Sequence, residues 1–158
     1  MASVTEKWRR FLQLSGFERA TVIEAFAGLM ITWPSLRLAG FRRWRAVLEW
    51  LSPGQSKAQP SFATGLELAR IVARMEAAAA RNLFFRPNCL ERSLVLWWLL
   101  RRRGIPAELR IGARKDAQKF EAHAWVEYGG SAVNQADETH LHFTPFDGSI
   151  TSVETPTQ

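Results

Sequence analysis

Apolar residues in the first third of the chain recur at helical spacing: Trp8, Phe11 and Leu12, then Val22, Ile23, Phe26, Leu29, Met30 and Trp33, then Trp44, Val47, Leu48 and Leu51. A period near 3.6 puts such positions on one stripe of a helix, so three helices are expected between Glu6 and Leu51. Breaks are expected at Ser15-Gly16, at Pro34-Ser35 and near Gly40, where turn formers interrupt the pattern. Residues 52–61 lose the period to Ser, Pro, Gly and Gln and read as a linker. It separates a helical subdomain, 1–51, from a core at 62–150, the two forming one compact unit. The core begins with another helix, Phe62 to Asn82, whose apolar face carries Leu66, Ala69, Ile71, Val72 and Met75.

The residue before a proline avoids helical geometry, so Leu83 to Asn88 is expected as a loop, with Asn88 as the N-cap of the next helix. That helix opens at Cys89 and runs to Arg103, where Gly104 and Pro106 end it. Leu90, Leu94, Trp97, Trp98 and Leu99 make it apolar nearly all round, the mark of a buried helix. From here the period is two. Ala107–Arg114 and Phe120–Tyr128 alternate as the strands of an antiparallel hairpin, with Lys115 to Gln118 between them. Gly129-Gly130 is a hairpin turn, Ala132–Asn134 a candidate third strand and Leu141–Phe146 a fourth; 151–158 is expected to be a frayed tail. The class is α+β, a buried helix carrying the cysteine on an antiparallel sheet, with a helical amino-terminal part.

A single cysteine excludes an internal disulfide and fits a reducing compartment, so the cytoplasm is expected. The first residues lack a signal peptide's apolar stretch, and Ala25–Trp33 is far shorter than the ~20 residues that span a bilayer. Neither secretion nor a transmembrane segment is expected. The net charge of +6 gathers at Lys7–Arg10, Arg42–Arg45 and Arg101–Arg103. The last of these suits a helix C-terminus. Phe41, Arg42, Arg43, Trp44 and Arg45 form a candidate docking surface for a peptide or protein partner. Nucleic acid is not expected, since charge alone speaks for it and no helix-turn-helix or stacking platform accompanies the charge.

A lone cysteine is most often a small buried hydrophobe and a lone histidine a satisfied core or surface residue. The conjunction here points further. Free N–H groups and the positive dipole end at a helix start favour a thiolate, and the backbone N–H of Cys89 is placed to meet a developing oxyanion. His123, on the second strand after that helix, supplies the imidazole that cysteine proteases require. Its strand face also carries Glu121 and Trp125. Helix with cysteine, strand with histidine, then an orienting residue on the next strand is the order of the papain and transglutaminase fold. His140 and His142 alternate on the expected fourth strand, but with no third ligand near them a surface strand is expected and no metal.

The segments Asn88-Cys89-Leu90-Glu91-Arg92-Ser93-Leu94, Leu99 to Ala107, Ile111-Gly112 and His123-Ala124-Trp125-Val126-Glu127 resemble the lasso-peptide leader peptidases. These transglutaminase-like proteins cut the leader from a ribosomally made precursor before a synthetase closes the macrolactam ring. The resemblance covers Pro87 to about Asp147 and is looser over the helical first third. It implies a cysteine peptidase without cofactor, with Cys89 as nucleophile and His123 as general base and acid. Its partners would be the precursor, a separate leader-recognition protein and, as a further candidate, the synthetase. In the family an aspartate on the next short strand orients the histidine; here Gln135 takes its place, after Asn134, and Asp137 lies two residues on. An amide orienter, Gln135 or Asn134, is favoured over Asp137, because a two-residue shift along a strand moves a side chain about 6.6 Å. The missing aspartate also leaves open a catalytically weak peptide-binding module.

Overall fold

The computed structural model describes residues 4–52, 61–116, 119–135 and 142–145. Residues 53–60 of the expected linker, 52–61, and the tail at 151–158 lie outside the described residues. The element order is α1 (Val4–Gln13), α2 (Gly16–Trp50), α3 (Phe62–Ala80), α4 (Cys89–Arg102), β1 (Glu108–Asp116), β2 (Lys119–Tyr128), β3 (Ser131–Ala132) and β4 (Thr144–Pro145).

The break between α1 and α2 falls at Ser15, as the spacing predicts. Its hydroxyl accepts from the Glu18 N–H while the Glu18 carboxylate accepts from the Ser15 N–H, a reciprocal cap. The Ser15 N–H first, and then the Ser15 hydroxyl, which donates to Glu18 Oε2 at 2.8 Å, hold the Glu18 carboxyl below its ordinary range. Pro34 does not end a helix, contrary to expectation. Proline removes one N–H and crowds the preceding turn, yet the backbone stays helical through it. Packing on both sides holds this stretch: Ala25, Leu29 and Thr32 are buried before the proline and Leu48 well after it. The real interruption is Gly40, whose φ of 76° and ψ of 167° are open to glycine and strained for other residues. There α2 kinks, and the Trp44 indole beyond the kink donates to Thr32 Oγ1 before it at 3.1 Å, tying the two arms together.

By length and composition α2 is the one helix among the described residues that could cross a membrane. α2 packs against α3 and α4 along one side, while only 17% of its apolar window is buried and Ile23, Phe26, Ile31 and Trp33 are exposed. The core draws on every helix of that layer and on the sheet: Leu29, Val72, Leu96, Leu100, Ile105 and Val126 are all fully buried in one cluster. Each large aliphatic side chain there contributes roughly 1.5–3 kcal/mol by leaving water. In α4 Leu94, Val95, Leu96, Leu99 and Leu100 have no exposed surface, which makes it the buried helix that its sequence predicts.

The sheet has the order β3-β2-β1-β4, with all neighbours antiparallel. The hairpin strands are longer than the alternation suggests, pairing out to Asp116 and Lys119. The third strand is only Ser131–Ala132, after which the Val133 N–H still bonds the Val126 carbonyl at 2.9 Å. Among the described residues of the expected fourth strand, 142–145, Thr144–Pro145 pairs, and it pairs with β1 at Ala113 and Gly112. One face of β2, with Val126 and Tyr128, enters the helical core. His123 and Trp125 lie on the other face.

Candidate functional site

Cys89 is half-buried in the first turn of α4. That turn is closed by local chemistry. Asn88 Oδ1 accepts from the Glu91 N–H at 2.9 Å, and Glu91 Oε2 accepts from the Asn88 N–H at 2.9 Å. Glu91 is itself buried and also takes Arg37 Nη1 at 3.0 Å, so the cap is anchored to α2. One turn on, Ser93 Oγ donates to the Ala124 carbonyl at 2.9 Å. Cys89 and Ser93 are four apart and share a helix face. Cys89 thus stands about one helical turn, ~5.4 Å, from a hydroxyl fixed to the residue after His123.

Beside the cysteine, Arg92 makes a two-pronged ion pair with Glu76 of α3, Nε to Oε1 at 3.0 Å and Nη2 to Oε2 at 2.8 Å. Glu76 has no exposed surface. Burial pushes its carboxyl above the ordinary range, against the opposing pull of Arg92. Arg92 is held more firmly protonated than usual, chiefly by the Glu76 bonds and to a lesser degree by charge on Cys89.

His123 lies between two rings, stacked on Trp125 at 6.1 Å between centroids and tilted against Phe143 at 5.1 Å. The Gln135 amide contacts the His123 Nε2 through its own Nε2, and the Gln135 oxygen is buried beside it. Asn134 has a different task. Its oxygen accepts from the Val126 N–H at 3.0 Å and its amide donates to Ser93 Oγ at 3.1 Å, so it ties β2 to α4. Asp137 and His140 lie outside the described residues, and His142 is exposed.

Trp125 owes its place to Gly112, the register partner of both His123 and Pro145. A Cβ at Gly112 would come within 2.8 Å of the Thr144 carbonyl oxygen and 2.9 Å of the Trp125 ring. Gly112→Ala is therefore expected to force β4 outward and tilt the indole, costing about 1–3 kcal/mol. A urea midpoint equal to that of the wild type would count against this close approach.

The basic stretch after the kink divides. Phe41 and Trp44 pack against the core, Arg45 pairs with Glu49 at 3.3 Å, and Arg42 and Arg43 are exposed. Several residues around the site escaped sequence reasoning. Glu91 was visible in principle, since Asn88-x-x-Glu91 is a capping-box spacing. Ser93 had the weaker signal of standing four after the cysteine. Glu76 had none, because only the tertiary fold brings it to Arg92.

The model of the transglutaminase-like superfamily matches residues 29–147, more than half of the chain. The microcin J25-processing protein McjB of Escherichia coli is 44% identical over 52 residues, which are 33% of this chain and 24% of that protein. The match thus spans about a quarter of the relative's length. No solved structure matches. With the helix, hairpin and antiparallel sheet described above, the family match establishes that the chain belongs to the transglutaminase-like superfamily.

Proposed function

We propose that the protein is a cysteine endopeptidase that removes the leader from a ribosomally made lasso-peptide precursor before the macrolactam is closed. The single observation that carries this reading is the Gln135 amide set against the imidazole of His123, on the strand to which the helix of Cys89 is bonded. The processing role in the name of the Escherichia coli relative supports the choice of substrate.

In this mechanism the Cys89 thiolate attacks the scissile carbonyl and the Cys89 N–H meets the oxyanion. The imidazolium of His123 gives its proton to the leaving amine. Water, deprotonated by His123, then attacks the thioester carbonyl and frees Cys89. Both ring nitrogens of the imidazolium carry protons, so the orienter must accept a bond; Gln135, which now meets the ring through its amide nitrogen, would do so after a turn of the amide that brings its buried oxygen to His123 Nε2. Asn134, whose amide is engaged by Val126 and Ser93, is the poorer candidate. The arrangement needs no metal or cofactor. A separate recognition protein would grip the leader, with Arg42 and Arg43 as a docking surface, and the macrolactam synthetase is a further candidate partner.

The missing aspartate supports a second reading, a peptide-binding module of weak activity. One experiment separates the two. Because Cys89 is the only cysteine, iodoacetamide modifies a single site. The protein is incubated with precursor and recognition protein, and leader release is followed by mass. Release by the untreated protein and its loss after alkylation are expected; release that survives full alkylation rules out the thiol mechanism.

A further inference from the structure

A cleft of about 680 Å³ opens between the end of α3, the loop before Asn88, and Arg92 of α4. That volume suits a peptide segment or small ligand. Leu83, Phe85 and Pro87 form its apolar wall, and Arg81, Arg86 and Arg92 its polar one. Cys89 does not itself line the cleft, but two lining residues flank it in the chain: Pro87 two residues before it, and Arg92 three after it in the first turn of α4. Among the described residues no carboxylate lines the cleft. Arg92 is paired with Glu76, whereas Arg81 and Arg86 are exposed and form no close ion pair among the described residues, Arg81 acting on Glu76 only through space. Two guanidinium groups are thus left to face an incoming ligand.

The wall is held in shape before any ligand arrives. The Phe85 ring lies 5.3 Å from that of Trp33 on α2. Asn82 donates to the Ala78 carbonyl at 2.7 Å and accepts from Lys7 at 3.0 Å, which secures the loop at its other end. A preformed wall lowers the ordering cost of binding. Guanidinium forks match carboxylates in shape and are weakly hydrated, so they suit acidic side chains in a partly apolar recess.

We propose that this cleft is a substrate subsite for a peptide segment with an aspartate or glutamate next to an apolar side chain, and that Arg81 and Arg86 determine that specificity. The proposal rests on the peptidase reading for its role, but its binding can be measured separately. The probe is a short fluorescein-labelled peptide with two aspartates beside a leucine, and the control carries asparagines instead. Anisotropy titrations use the Cys89→Ala protein at low salt. The aspartate peptide is expected to bind about tenfold more tightly. Arg81→Gln/Arg86→Gln should abolish the preference, and Arg81→Lys/Arg86→Lys should keep part of it, since the charge remains. Equal affinity for the two peptides, or a preference untouched by the glutamine pair, overturns the subsite. If the preference holds but the wild type cleaves no precursor, the peptidase reading fails alone. If it cleaves and shows no preference, the subsite fails alone.

Discussion

Arg92→Ala is expected to cost about 3–5 kcal/mol of folding stability at neutral pH, because it strips the partner from a buried carboxylate. Glu76 has no exposed surface, and both of its oxygens are bonded to the guanidinium that the substitution removes. The loss should depend on pH in a definite direction. The Glu76 carboxyl already lies above its ordinary value of 4.5 in the folded protein, burial being the first cause and Arg92 the chief opponent. A group raised in this way contributes most below the unfolded value and loses its contribution as pH rises through the folded one. Without Arg92 the folded value rises further. The variant's deficit should therefore be largest at and above neutral pH, shrink as pH falls through the two raised folded values, and already be small at 4.5, where Glu76 is protonated in both folded proteins. Glu76→Gln should be milder, since the Arg92 side chain is 36% exposed and can turn towards water. Urea midpoints on both sides of that pH check each statement, and a pH-independent deficit would contradict the buried-carboxylate account.

His123→Ala is expected to slow leader release by about 10⁴-fold or more, as loss of a triad base does elsewhere. Gln135→Ala should cost less, about 10²-fold, because the imidazole remains and loses only its orientation. An orienting role has a signature that a structural one lacks. In Gln135→Ala the rate falls at unchanged KM and the acid limb of the pH profile moves, while the urea midpoint stays close to wild type. Asn134→Ala should instead lower stability, since it leaves the Val126 N–H unpaired and frees Ser93. If Asp137→Ala alone among the three reduced the rate, the amide would lose its assignment to the aspartate.

How much of this could be read in advance followed the range of the interactions. The buried helix α4 was legible because its signals are local: Asn88 as cap, five apolar side chains, Gly104 as stop. The hairpin was legible from alternation, although its strands run on to Asp116 and Lys119 because paired backbone continues past the last apolar residue. Pro34 misled, since a local rule against proline gave way to the packing of Leu29 and Leu48 on either side. The fourth strand also differed, its described part starting at Thr144 and not at Leu141, as pairing to β1 at Gly112 is decided by residues thirty or more apart in the chain. At the site, Cys89 and His123 stood out by residue type and element. The contact between Gln135 and His123, the clasp of Ser93 and Asn134, and the pair Glu76–Arg92 depend on the tertiary fold and left no periodic trace.

Asn134 holds the Val126 backbone with one end of its amide and Ser93 with the other, and Gln135 is the next residue along. The helix that carries Cys89 and the segment that carries Gln135 are therefore coupled through one side chain. When α4 rocks on the sheet, that segment should travel with it, so thermal motion should displace the first turn of α4 and the residues beside His123 together. Tolerance to vibration of the whole is a different property from rigidity, and a small protein of this size can reach it with one asparagine.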